Sequence, residues 1–280
     1  MIFTLKSHIR DLVNRANVQI EKSTIPIFKE SEKKLPFQYG TGVLLEIENR
    51  YFLISAAHTI LDESPKIYLP FGDEVKHVGG NIVGTKLPAS GFRNDDRIDL
   101  ASLELQDSLI DDLKKYFTFI KIENTGLFLS PKEKYIYIIT GFPHNKTKII
   151  RNESIKSSSF SYFNSNLLNN NEKYIKTKTK FHSHLLMEFD KKQIINSEDV
   201  QIKTPKLDGM SGCGFWCIPN LLPNNLNELP LLLAGIFIEH HESENVLVGT
   251  RIHIILELLR QEYNLNLPES KFTRLNIIPE

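Results

Sequence analysis

From Gly40 to about residue 252 the apolar residues come in short β-branched or aromatic runs, most of them ended by Gly, Pro, Asn or Asp. This texture constrains the fold more than any other feature of the chain. GVLLEIE, YFLISAA, KIYLP, EVKHV, NIVGT, LASLEL, KYIYIIT and TKIIR come first, and YIKTKTK, HLLMEF, GFWCI, LLLAGIFI and VLVGTRI follow. Many short strands separated by turn residues specify an all-β sandwich or barrel rather than an alternating β and α array. GVLLEIE and YFLISAA, with a turn predicted at Asn49-Arg50, read as a hairpin with buried arms.

Three segments break the rhythm. Residues 5–20 set Leu5, Ile9, Leu12, Val13, Ala16 and Ile20 on one helical stripe, which predicts an amphipathic helix packed on the body. SLIDDLKKYFTF near the middle and IHIILELLRQEY near the C-terminus also read as helices. The polar stretches 157–172 and 223–230 read as surface loops, the first overhanging the central cleft.

Composition narrows the partners. The 280 residues carry 34 Lys+Arg against 34 Asp+Glu, so no net field draws the chain to nucleic acid or to an anionic membrane. MIFTL is too short for a signal-peptide core, and no apolar run reaches the roughly 18 residues a membrane span needs. Cys213 and Cys217, if joined by a strand, lie roughly 13 Å apart at about 3.3 Å per residue. A disulfide needs Cα atoms within about 7 Å, so no bridge is expected. The expectation is a cytoplasmic protein or a delivered effector without a standard signal peptide.

Chemistry concentrates in three segments: LISAAHTI around His58, DRIDLASLEL around Asp99 and LDGMSGCGFW around Ser211. In this order they supply a base, an orienting acid and a nucleophile in a glycine-rich turn. Small residues before His58 let its ring approach a cleft, and glycines around Ser211 let the backbone turn tightly and expose N–H groups. Asp99 immediately precedes a strand, whereas Asp95 and Asp96 read as turn residues. The order is wrong for an α/β-hydrolase, which needs Gly-x-Ser-x-Gly, whereas this chain has Cys213 where the second glycine belongs.

These motifs resemble those of trypsin/chymotrypsin-like serine proteases of the bacterial or intracellular type, over residues 40–260. Gly141-Phe142-Pro143 after a strand adds to the resemblance. It implies two six-stranded antiparallel β-barrels of chymotrypsin type with an N-terminal and a C-terminal helix. The corresponding division is 1–30 for the helix and lead-in, 31–125 for the first barrel, 126–250 for the second, and 251–280 for the helix and tail. It implies a serine endopeptidase acting through an acyl-enzyme, with His58, Asp99 and Ser211 as the triad and the N–H groups of Gly209 and Ser211 as the oxyanion hole. Cys213 and Gly214 replace the Gly-Pro that usually follows the serine.

The family's zymogens are switched on when a new N-terminus pairs with an aspartate just before the nucleophile. That position is Met210, so the resemblance predicts no such ion pair, and regulation would fall to a protein partner or to loop ordering. The specificity pocket would involve Pro205, Ile238 and His240. Without an acid at Pro205 no strict Arg/Lys preference is implied. His182, His184, His240 and His241 lack the further ligands a metal site needs, so neither metal nor cofactor is expected. The expected partner is a protein or peptide substrate, not nucleic acid or membrane. The rival expectation is an inactive or partner-activated binding module on the same fold.

Overall fold

The computed structural model describes residues 5–30, 36–61, 66–127, 135–149, 155–190, 204–219 and 229–269. Helix α1 (Leu5–Glu21) leads into β1 (Thr24–Glu30), β2 (Pro36–Ile47) and β3 (Arg50–Ala56). A single turn, α2 (Ala57–Ile60), precedes β4 (Ile67–Phe71), β5 (Glu74–Val78), β6 (Gly80–Gly84) and β7 (Leu100–Leu105). Helix α3 (Asp107–Leu113) and the short β8 (Ile120–Lys121) complete the first half. The second half holds β9 (Ile136–Gly141), β10 (Thr147–Ile149), β11 (Ile155–Ser157), β12 (Phe160–Asn164) and α4 (Asn171–Lys176). It continues with β13 (His184–Glu188), β14 (Gly214–Ile218), β15 (Leu232–His241), β16 (Val246–Arg251) and α5 (Ile252–Tyr263).

The first sheet runs β5-β4-β1-β2-β3-β7-β6, with β8 pairing beside β2; the second runs β12-β9-β14-β15-β16-β13. Both are antiparallel apart from the two-residue parallel contact of β8. Each curls into a half-barrel, and together they form the two-barrel architecture of chymotrypsin type. The expected count of six strands holds for the second sheet. The first has seven in its path, because β1, left in the lead-in by the sequence reading, is an inner strand between β4 and β2.

Three further expectations are corrected. The β2–β3 turn is Glu48-Asn49, not Asn49-Arg50: both residues have positive φ, 52° and 60°, as a two-residue type I′ turn requires. YIKTKTK is not a strand. Asn170 accepts a hydrogen bond from Glu172 N–H at 2.9 Å and caps α4, and Thr177 and Thr179 fold back into a buried hydroxyl pair at 2.8 Å. The stretch 157–172 is not all loop, since β12 alternates, with Phe160 and Tyr162 facing inward. Most of the predicted 223–230 loop lies outside the described residues.

Apolar burial is organised in layers. One cluster, including Ile27, Leu44, Leu53, Leu69 and Leu103, fills the first barrel, and another, including Ile139, Met187, Phe215 and Leu247, fills the second. A third joins α1 and α5 to strands of both sheets. Leu12, Val13, Ala16 and Ile20 form the buried stripe of α1, but Leu5 at its start is exposed.

Candidate active site

Strand pairing brings His58 and Asp99 together. β3 and β7 are antiparallel with Ala56 opposite Leu100, so the residues just past the end of β3 lie beside the residue just before β7. Ala57 N–H donates to the Asp99 carbonyl at 3.0 Å. The Asp99 carboxylate then takes two bonds from the next residue. Oδ1 accepts the backbone N–H of His58 at 2.9 Å, and Oδ2 lies 2.5 Å from His58 Nδ1. An ionised carboxylate only accepts, so Nδ1 carries the proton and Nε2 of the neutral ring keeps its lone pair. Asp99 is buried while the His58 side chain is 34% exposed, so the ring's free edge faces outward.

The neighbouring aspartates do different work. Asp96 accepts from Arg93 at 2.9 Å, from the Thr85 hydroxyl and from Ile98 N–H at 3.1 Å, which shapes the loop. Asp95 sits 3.9 Å from Arg97. That loop is also fastened to the second barrel. Thr250 Oγ1 donates to the Ile98 carbonyl and His184 Nε2 to the Arg97 carbonyl, each at 2.6 Å. His184 is buried and its pKa is pushed down by desolvation, which suits a neutral ring donating through Nε2.

Ser211 is the second residue of the latter of two consecutive tight turns that share Met210. Met210 N–H bonds the Leu207 carbonyl at 2.9 Å, and Cys213 N–H bonds the Met210 carbonyl at 3.0 Å. The third residues of these turns, Gly209 and Gly212, have φ of 89° and 93°, the sign that a type II turn demands at that position. In the second turn the Ser211 carbonyl accepts from Thr41 N–H at 2.9 Å, and Gly212 N–H donates to the Phe237 carbonyl at 2.8 Å. The serine is thereby tied to both barrels. A Cβ on Gly212 would overlap Ser55 Oγ and the Thr41 carbonyl, so the turn abuts β3 three residues before His58. Among the described residues Ser211 Oγ makes no hydrogen bond to His58, a contact that commonly tightens only when substrate binds.

The first turn orients the other amide. The Asp208 carbonyl accepts from His144 N–H at 2.7 Å. Carbonyl and N–H of one trans peptide point in opposite directions, so Gly209 N–H is turned away from His144. Met210 is fully buried in the apolar cluster of the second barrel, which leaves no place there for a carboxylate pair. Cys213 and Cys217 are free and buried, and burial pushes the Cys217 thiol up to about 12, so neither supplies a thiolate nucleophile.

Of the pocket residues expected from sequence, Pro205 is half-buried just before the first turn. Ile238 packs in a small cluster with Ala56, Leu186 and Val248. His240 stacks edge-on against Phe189 at 5.0 Å, with Nδ1 3.9 Å from Glu242. Glu239, which sequence reasoning passed over, follows the irregularity in β15. Burial raises its pKa, against the opposing charge of Arg97. No group of three or more His, Cys, Asp or Glu among the described residues could hold a metal ion, and no described helix is long and apolar enough to cross a membrane.

No family profile matches the chain, nor does any curated protein. Solved structures similar to it include the following two. One is the serine protease domain of the Sesbania mosaic virus polyprotein, 13% identical, with 89% of this chain and 94% of that chain covered and a TM-score of 0.45. The other comes from work on the coupled folding and binding of the intrinsically disordered Sesbania mosaic virus VPg protein. It is 12% identical, with coverage of 86% and 90% and a TM-score of 0.44. Likeness at this distance assigns no chemistry, which rests on the geometry above.

Proposed function

We propose that the protein is a serine endopeptidase in which Ser211 is the nucleophile, His58 the general base and Asp99 its orienting acid. The observation that carries this reading is the double engagement of His58 by Asp99, through Nδ1 and the backbone N–H, beside a serine turn locked between the barrels. His58 Nε2 takes the proton from Ser211 Oγ as the oxygen attacks the scissile carbonyl carbon. The oxyanion of the tetrahedral intermediate is received by the N–H groups of Gly209 and Ser211. The imidazolium, stabilised by Asp99, then protonates the leaving amine. Water hydrolyses the acyl-enzyme by the same proton route in reverse. The substrate is a protein or peptide and no metal or cofactor takes part.

Labelling by a fluorophosphonate probe tests this directly. Purified protein is expected to be labelled, and both Ser211→Ala and His58→Ala are expected to abolish the signal. Folded wild-type protein that stays unlabelled would reject the endopeptidase reading in favour of a binding module on the same fold.

A further inference from the structure

We propose that Thr41 and Gln38, both on β2 of the first barrel, are positioning residues that hold the 207–212 turn so that Gly209 N–H faces the substrate. This role rests on the endopeptidase reading and deepens it: the strap does the work that an N-terminal ion pair does in the resembling family, where Met210 replaces the required aspartate.

Thr41 is fully buried and uses nearly all of its hydrogen-bonding capacity at this point. Its Oγ1 donates to the Gly209 carbonyl at 2.8 Å and accepts from Phe142 N–H at 3.0 Å. Its backbone N–H donates to the Ser211 carbonyl at 2.9 Å, and its carbonyl accepts from Ser55 Oγ at 2.7 Å. One residue thus grips the turn on both sides of Met210 and links it to β3, the strand that ends at His58.

Gln38 reinforces the grip. Its Nε2 lies 2.9 Å from the Gly209 carbonyl, 2.6 Å from the Phe142 carbonyl and 2.9 Å from the Gly40 carbonyl. The same buried side chain leaves Oε1 without a partner, a penalty a core amide bears when its other end is fixed. The Gln38 carbonyl accepts from His144 Nδ1 at 2.8 Å, and His144 N–H holds the Asp208 carbonyl. Both peptide planes flanking Gly209 are therefore pinned through their carbonyls. Space enforces the same choice, since a Cβ on Gly209 would lie 2.7 Å from Gln38 Oε1 and 2.9 Å from His144 N.

The strap makes the turn independent of a charged partner. Burying a carboxylate at residue 210 among apolar side chains would need a compensating cation. Neutral hydrogen bonds from the first barrel set the same peptide without one.

Thr41→Val keeps the shape and removes both hydroxyl bonds, while Thr41→Ser keeps the hydroxyl. In the full chain, Thr41→Val is expected to lower the acylation rate with p-nitrophenyl acetate about 10- to 100-fold, with KM within about threefold, short of the loss seen when an oxyanion donor is removed outright. Amide hydrogen exchange at Met210 is expected to accelerate at least about tenfold, as local opening there becomes easier. Thr41→Ser is expected to restore both within about threefold, which a general packing defect would not. Unchanged Met210 exchange in Thr41→Val overturns the strap, as does accelerated exchange that Thr41→Ser fails to restore. If wild-type protein neither labels nor turns over, the endopeptidase reading fails, and the exchange measurement alone decides whether the strap holds the turn.

Discussion

Asp99 holds a backbone conformation that residues other than glycine avoid, with φ at 45°. Such a residue stores about 1–3 kcal/mol of strain, and hydrogen bonds to a charged group, worth roughly 1.5–3 kcal/mol each, offset it. This conformation turns the carboxylate back onto His58, just after β3, instead of along β7. Asp99→Asn tolerates the same φ and keeps the size of the side chain, but its amide offers a donor where His58 Nδ1–H needs an acceptor. The expected result is a fold unchanged by circular dichroism and an acylation rate reduced about 10⁴-fold; a rate within tenfold of wild type would show that Asp99 does not set the tautomer. At this scale the pairing of His58 with Asp99 and the tight turn at Ser211 were foreshadowed in the sequence, because His58 and Ser211 sit in local motifs whose neighbours are small for a reason. Ala56 and Ala57 are fully buried beside His58, and Gly209 and Gly212 supply the two positive φ angles around Ser211. Gln38, Thr41 and His144 were not legible. Their bonds to the turn span 64 to 171 residues of chain, and nothing local distinguishes a buried glutamine that clamps a turn from an exposed one.

Among the elements, short apolar runs bounded by turn residues were read correctly, LASLEL and GFWCI to the residue. The misses have physical causes. β1 contains Pro26, which argues against an inner strand. It is tolerated because β4 meets β1 only at Phe28 opposite Tyr68, leaving the Pro26 stretch an edge on that side. YIKTKTK alternates like a strand, yet the Asn170 cap and the Glu172–Lys176 ion pair at 2.7 Å favour a short helix. Helix α5 was legible in IHIILELLRQEY, and its first turn carries a titratable group the pattern could not value. His253 is half-buried next to Arg251, and desolvation lowers its pKa from 6.5 to about 4. The unfolded chain therefore binds a proton near pH 6.5 that the folded chain refuses until about pH 4. Stability must fall as pH drops through that window and must be insensitive to this group above it. Comparing thermal midpoints at pH 7.5 and pH 5 should show a smaller acid loss in His253→Gln than in wild type; equal losses would place the acid sensitivity elsewhere.

At the scale of the whole molecule, the site depends on how the two barrels are held together. The Ser211 carbonyl accepts from Thr41 N–H in one barrel and Gly212 N–H donates to the Phe237 carbonyl in the other, while the Asp99 loop is fastened to His184 and Thr250. An error of an ångström between barrels would spoil both halves of the proposed triad together. The third apolar cluster opposes that error. It sets Leu12, Val13, Ala16 and Ile20 of α1 against Val43 and Leu45 of the first sheet and Ile138 and Trp216 of the second, with Ile255 and Leu259 of α5 closing it. The N-terminal helix is thus a shared wedge, although the sequence showed only that it had an apolar face to bury. Leu12→Ala removes a fully buried side chain from this wedge and should cost about 2–5 kcal/mol. Because the cluster belongs to both barrels, the loss should lower a single unfolding transition, with tryptophan fluorescence from Trp216 and far-UV circular dichroism moving together. If the two signals separate in Leu12→Ala, or if only the second barrel's signal shifts, the barrels unfold independently and α1 is an appendage of one of them.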